Sequence, residues 1–183
     1  VSNVVIRQAT TDDALEIAGV HHLSRSLAYH AILSPELLNA QTLADREKYW
    51  KEQGALGSLA DSEIYVAEDI TDVAPQIVGF IVLFKHTDPG SLESGERERE
   101  NHADSEIDRI YVHPDFMGKG VGKALMAHAL ERLRTFGCKK VCLWVFEENR
   151  TARGFYEVMG FSTDGKRRQI KPYPHDVLYT RAL

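Results

Sequence analysis

Apolar and polar positions change period several times along the chain, and each change predicts an element. "NVVIR" at residues 3–7 is a short β-branched run and reads as a strand. Thr11 then stands as the cap of a helix whose first turn carries Asp12 and Asp13, favourable at a positive helix end. Ala14, Leu15, Ala18 and Leu23 give that helix an apolar stripe, down to about Leu27. "SPELL" predicts a short helix with Ser34 as cap and Pro35 at its first position. A further helix is expected from about Leu43 to Gln53, with Thr42 as cap and Gly54 as stop. "SEIYVAED" alternates and predicts a strand with one wet face. "QIVGFIVLFKH" is a continuous apolar run and predicts a buried central strand.

The stretch from Thr87 to Glu106 begins polar, charged and turn-rich, which reads as a mobile loop with "ERERE" solvated. "SEIDRIYV" follows as a strand, then a glycine-rich turn, then a helix from Gly120 to Phe136. Val121, Leu125, Met126, Ala129 and Leu133 form the buried face of that helix, and Gly137 ends it. "KKVCLWVF" is another strand. Asn149 caps the short helix "RTARGFYEVM", which Gly160 ends, and "GFSTDGKRRQIK" and "HDVLYTRAL" close the chain as strands. The order predicts one mixed α/β (α+β) domain over residues 1–183. Within "IDRIYV" strict alternation would group Ile107, Arg109 and Tyr111, yet the apolar positions are 107, 110, 111 and 112. A β-bulge near Arg109 or Ile110 accounts for that slip.

Composition narrows the function. The 183 residues are 43% hydrophobic and 27% charged, ordinary for a globular protein with a core. The net charge of −5 argues against general nucleic-acid binding and is compatible with a cationic small substrate. Cys138 and Cys142 form neither a zinc pattern nor a disulfide framework, so free thiols in a reducing cytosol and no metal are expected. No apolar stretch approaches the roughly 20 residues of a membrane span. "VSNVVIRQAT" lacks a basic segment followed by an apolar one, so no signal peptide is expected.

The chemistry sits in "FMGKGVGKAL", residues 116–125, where three glycines in five positions run into a helix. Such turns hold anions, usually phosphates. A Walker A loop would place its first glycine at Met117 and its hydroxyl at Ala124, so two of its four fixed positions fail. A Rossmann fingerprint would need its third glycine at Lys123 and an early βαβ unit. A third possibility is a pyrophosphate held without metal by backbone N–H groups and the helix dipole, beside a plain tight turn with no ligand.

Here "IYVHPDFMGKGVGKAL" resembles the GNAT superfamily of acetyl-CoA-dependent N-acetyltransferases. The family's Arg/Gln-x-x-Gly-x-Gly/Ala segment maps onto Met117 to Gly122; both motif glycines match, and Met117 replaces the leading Arg or Gln. "ENRTARGFYEVMGF", residues 148–161, is similar to the family's Asn-x-x-Ala-x-x-Phe-Tyr-x-x-x-Gly-Phe segment, and "IRQATTDD" to its opening strand and cap. The resemblance is strong from about Ser105 to Phe161 and looser outside.

It implies a mostly antiparallel central sheet with helices on both faces and a splayed V between two central strands. It implies acetyl-CoA as co-substrate and no metal. Gly118, Gly120 and Gly122 would let backbone approach the pyrophosphate, with Met117, Val121 and Lys123 adding N–H groups. Lys119 and Lys123 either add charge there or are solvated. The bulge would splay the strand so that backbone of Ile110, Tyr111 and Val112 meets the pantetheine arm, and an N–H near Ile110 or Tyr111 polarises the thioester. Glu106 stands where several members place a catalytic base; its alternative is a strand-end surface carboxylate, with Asp108 and Glu63 as other candidates. The Tyr156 phenol would protonate the leaving thiolate or position its sulfur. Asn149 would cap its helix and bond the pantetheine arm. Phe155 reads as packing beside the cofactor, and Arg153 as near the 3′-phosphate or exposed. His21, His22, His30, Tyr29 and Trp50 fall in the region that lines the family's acceptor site. The implied acceptor is a small-molecule amine, with a protein N-terminus or lysine, or a non-catalytic CoA-binding module, as alternatives. A homodimer is expected because small members often pair.

Overall fold

Arg7, on strand β1 (Val4–Gln8), ties three segments together in this computed structural model, which describes residues 3–52, 62–71, 73–85 and 103–183. Its guanidinium pairs with Asp13 at 2.7 Å and with Glu68 at 2.8 Å. The Asp13 carboxylate also accepts from the Thr10 N–H at 2.6 Å. The cap is therefore Thr10 rather than Thr11, and a 3₁₀ turn over Thr11–Asp13 precedes helix α1 (Ala14–Tyr29).

The buried stripe of α1 also differs from the expected one. Ala14, Ile17, Ala18, Val20, His21 and Ser24 face inward, while Leu15 and Leu23 are 50% and 47% exposed. Small Ala14 and Ala18 let the helix approach the sheet closely, and the polar members of the stripe are bonded: Ser24 Oγ donates to the Val112 carbonyl at 2.8 Å. Helix α2 (Pro35–Asn39) starts at the expected Ser34 cap. In helix α3 (Leu43–Glu52), Thr42 and Asp45 form a reciprocal cap, the Thr42 N–H donating to Asp45 Oδ2 at 2.8 Å. The expected end at Gln53 and Gly54 lies outside the described residues.

Three strands follow: β2 (Ser62–Asp69), β3 (Gln76–Lys85) and β4 (Ser105–Val112). Then come α4 (Val121–Thr135), β5 (Lys140–Phe146), α5 (Arg150–Val158), β6 (Arg167–Gln169) and β7 (His175–Ala182). The sheet order is β1-β2-β3-β4-β5-β7-β6, and every neighbouring pair is antiparallel except β4 and β5. β6 is shorter than the sequence suggested. The loop expected over residues 87–104 lies, up to residue 102, outside the described residues.

One face of the sheet is covered by α4, whose Leu125, Met126, Ala129 and Leu133 pack on Ile81, Leu83, Ile107 and Val141. The other face is covered by α1 and α3, through Ile17, Val20 and Trp50 against Val66, Phe80 and Val82. β2 is inside both layers, so Ile64 to Ala67 are all buried and the expected wet face is absent. The α4 contact is tight at Gly79. A Cβ there would lie 3.0 Å from the Tyr111 carbonyl oxygen and 3.1 Å from Leu125 Cδ1.

Among the described residues no helix is long and apolar enough to cross a membrane, and no cluster of His, Cys, Asp or Glu suits a metal.

Candidate active site

The parallel pairing of β4 with β5 stops almost as soon as it begins. It holds Ser105 opposite Val141 and Glu106 opposite Cys142, and goes no further. Asp104 locks this root by accepting from the N–H groups of Lys139 and Lys140 at 2.7 and 3.0 Å. Past the root, β4 stays on β3 as far as Val112 opposite Gly79, and β5 stays on β7 as far as Phe146 opposite Asp176. The facing edges therefore diverge with their backbone groups unladdered, and such groups need another partner.

A bulge helps to turn β4. Leu83 faces Ile107 but Val82 faces Arg109, so Asp108 is the extra residue, one position earlier than the sequence suggested. Ile110 and Val112 then pack toward the α4 core, whereas Tyr111 packs with the cluster under α1 and α3. The gap thus has two mouths, one on each face.

The glycine turn stands at the α4 mouth. His113 opens a 3₁₀ turn over Pro114–Phe116, and Gly118 and Gly120 follow with φ of 74° and 90°. That left-handed backbone suits glycine, and no atom lies within 4 Å of a Cβ built at either position. α4 begins at Val121, so the N–H groups of Val121, Gly122 and Lys123 have no acceptor within the helix. The Met117 N–H is engaged differently, donating to the Pro114 carbonyl at 3.2 Å. Lys119 lies against the Phe116 ring at 4.8 Å, and Lys123 is exposed. Phe155 from α5 packs on this corner, 3.6 Å from where a Gly122 Cβ would sit. The pieces fit a pyrophosphate and an extended arm: a cradle of donors with open space over it, leading to an unpaired strand edge.

The rest of α5 is firmly held. Asn149 Oδ1 accepts from the Ala152 N–H at 3.1 Å, as a cap should. Arg153 donates to Tyr179 Oη at 3.1 Å and to the Glu147 carbonyl at 2.9 Å, which binds its guanidinium within the protein. Tyr156 contacts the rings of Phe155, Phe161 and Tyr179. Burial, and secondarily Tyr111, push its phenol well up. Among the described residues its hydroxyl has no hydrogen-bond partner, and it keeps its proton at neutral pH.

At the other mouth lies a cavity of about 370 Å³ between α1, α3, β4 and the ends of β5 and β7. Tyr29, Tyr49, Tyr111, Phe146 and Tyr173 make its walls aromatic. Tyr29 and Tyr111 hydroxyls meet at 3.3 Å. Burial holds the Tyr29 phenol far above its ordinary value, with Tyr111 adding to the effect. His21 is at the back. Trp50 Nε1 donates to its Nδ1 at 3.2 Å, and Arg46 Nη1 lies 3.2 Å from its Nε2. Burial first, and nearby Arg46 second, depress the imidazole to about 2, so it is neutral.

Sequence reasoning flagged His21 and Tyr29 here but missed Arg25, Arg46, Arg109 and Asp176, which share the cavity. Asp176 pairs with Arg168 at 3.3 Å, yet burial raises its carboxyl. These residues come from α1, α3, β4 and β7, and no local spacing links them. His22 and His30 do not line the cavity, and Trp50 acts through His21. Glu106 sits at the root of the V and not on the cavity wall; alternation from buried Ile107 turns it toward the α1 and α3 face. Of the two other candidate carboxylates, Glu63 is taken up by Arg132 and Tyr65, and Asp108 pairs with Arg109.

Comparison with known proteins agrees with this geometry. The model of the acetyltransferase (GNAT) family matches residues 28–161. The chain is 30% identical over 146 residues to the uncharacterised N-acetyltransferase YuaI of Bacillus subtilis, covering 80% of this chain and 73% of that one. It is 33% identical over 106 residues to the mycothiol acetyltransferase of Thermobifida fusca, covering 58% of this chain and 28% of the other. Its fold superimposes with a TM-score of 0.74, at 22% identity and over 99% of both chains, on the PaiA N-acetyltransferase of Thermoplasma acidophilum, crystallised with coenzyme A. The splayed sheet, the glycine turn at its mouth and these matches place the chain in one family: it belongs to the GNAT acetyltransferases.

Proposed function

We propose that the chain transfers an acetyl group from acetyl-CoA to the primary amine of a small molecule, by direct attack in a ternary complex. One observation carries this reading: the gap between β4 and β5 has the glycine turn at one mouth and a half-open aromatic cavity at the other. Two reactants entering from opposite faces meet at the unladdered edge of β4. Holding both in place supplies much of the rate.

Bound acetyl-CoA supplies the activated acyl group. The chain's own residues do the rest. Gly118 and Gly120 leave room for the pyrophosphate, and the first-turn N–H groups of α4 donate to it. A backbone N–H at Ile110 or Tyr111 donates to the thioester carbonyl and stabilises the developing oxyanion. The amine arrives as ammonium, and Glu106 takes its proton through water, because it stands in the root. Asp176 is a second carboxylate, on the cavity wall, with its basicity raised by burial. Tyr156, protonated, gives its proton to the departing thiolate. The aromatic cavity of about 370 Å³ is sized for a small amine. The reading carries with it a cytosolic setting and a homodimer, which the mass in solution tests.

The test is acetyl-CoA turnover against an amine panel in wild type, Glu106→Gln, Asp176→Asn and Tyr156→Phe. The carboxylate whose loss removes the acidic limb of the kcat/KM profile is the base. If Glu106→Gln and Tyr156→Phe both leave turnover intact while acetyl-CoA binds, their catalytic assignment is wrong. If acetyl-CoA protects the fold but no amine is acetylated, the chain is a CoA-binding module.

A further inference from the structure

Arg46 is 4% exposed, lines the acceptor cavity, and has no carboxylate partner among the described residues. Its Nε is buried with no acceptor among them. Its Nη1 lies on His21, but that bond is contested. A neutral imidazole has one acceptor nitrogen, and Trp50 Nε1–H already donates to Nδ1. Two donors thus converge on a ring that can satisfy one of them. The back of the cavity has more donors than acceptors.

The other charges do not repair this. Arg109 is matched by Asp108 at 2.9 Å and by the Tyr49 hydroxyl at 3.0 Å. Asp45 is used at the start of α3 by the Thr42 N–H and hydroxyl. Asp176 is matched by Arg168. Among the described residues Arg25, a second cavity arginine, has only the Leu38 carbonyl at 3.2 Å and the Tyr29 ring face at 5.7 Å. Among the described residues Arg46 is left as a buried cation without a carboxylate, which is costly to keep, and half-buried Arg25 shares its cavity.

We infer that the acceptor is a carboxylate-bearing amine of the amino-acid class, with its carboxylate on Arg46 and Arg25. The planar guanidinium carries its N–H donors in the flat fork that a carboxylate accepts. Seated so, the acceptor's amine extends past Tyr111 toward the β4 edge, and the aromatic walls take its side chain. The inference rests on the proposed acetyl transfer for the amine, but the anion site has its own readout. It adds a carboxylate to the cationic small substrate that the net charge of −5 allows.

Two measurements separate the readings. The first is CoA release from acetyl-CoA with amino acids, each beside its own α-carboxamide, and with spermidine. The second, free of turnover, is the unfolding midpoint with CoA plus N-acetyl amino acids or the matching N-acetyl amides. The expected result is an acid-over-amide preference of at least about tenfold in kcat/KM, and midpoint rises with acids alone. Arg46→Gln should bring that preference near unity; Arg25→Gln, on a less buried residue, should reduce it if the first variant does not fold. Amides or spermidine serving as well as acids, or an acid preference untouched by the variants that fold, overturns the inference. So does a panel that neither turns over nor protects. Acids that protect selectively without turnover uphold the anion site and overturn acetyl transfer to small amines.

Discussion

Acidification should destabilise this protein already between about pH 7.5 and pH 5, and His21 is the reason. The ring is 7% exposed and accepts from Trp50, with Arg46 beside its other nitrogen. A proton on Nδ1 would break the Trp50 bond, and the new charge would face a buried cation. The folded pKa is accordingly depressed to about 2, from 6.5 in the unfolded chain. Between those values the unfolded state binds the proton and the folded state does not, so stability falls as pH falls. From about pH 7.5 to about pH 5 this one group removes about 2 kcal/mol, at about 1.4 kcal/mol for each unit below 6.5. For a chain of this length that is roughly 4–8 °C in midpoint. The assay is thermal unfolding across that window, in wild type and His21→Asn, whose amide oxygen retains an acceptor for Trp50. Asp13 and Glu63, both lowered, titrate below the window, and lowered His128 and raised Asp176 contribute equally to both proteins. The wild type should lose about 2 kcal/mol more than the variant. Parallel curves for the two proteins would refute a neutral, donor-flanked His21.

Two further perturbations test the framework around the gap. Gly79→Ala forces a methyl against the Tyr111 carbonyl and Leu125, so stability should fall by about 1–3 kcal/mol in denaturant melts. Because Tyr111 is on the gap edge, acetyl-CoA affinity should fall with it. Gly120→Ala meets open space but keeps φ of 90°, so about 1–2 kcal/mol of backbone strain is expected. Wild type at about 100 times the acetyl-CoA dissociation constant should gain about 2.7 kcal/mol, roughly 5–11 °C, and Gly120→Ala should gain less at equal concentration.

What the sequence disclosed is what neighbours along the chain decide. The glycine turn, the Ser34 and Asn149 caps and the buried face of α4 depend on spacings of one to four residues. The bulge was visible as a slip in alternation, though Asp108 rather than Arg109 is its extra residue. What stayed hidden depends on layers. The inward turn of His21 and Ser24 on α1 requires partners on α3 and β4, so Leu15 and Leu23 looked like better core residues. β2 looked half wet because Glu63 and Glu68 flank it, yet two helical layers bury its middle. Arg46 and Asp176 are 130 positions apart and share a cavity only through the fold.

The brief pairing at Ser105 and Glu106 makes the sheet two leaves on one short spine. One leaf is β1 to β4 and the other is β5, β7 and β6, each fully cross-linked within itself. Side-chain packing under α4, with Ile81 and Leu83 from one leaf and Val141 and Leu143 from the other, holds them near each other. Pivoting the leaves at the far end breaks no backbone hydrogen bond between β4 and β5, because none of that ladder is formed there. The width of the gap is therefore set by side-chain packing and not by a ladder of hydrogen bonds. An occupant bonded to both edges acts as the missing rung and sets that width.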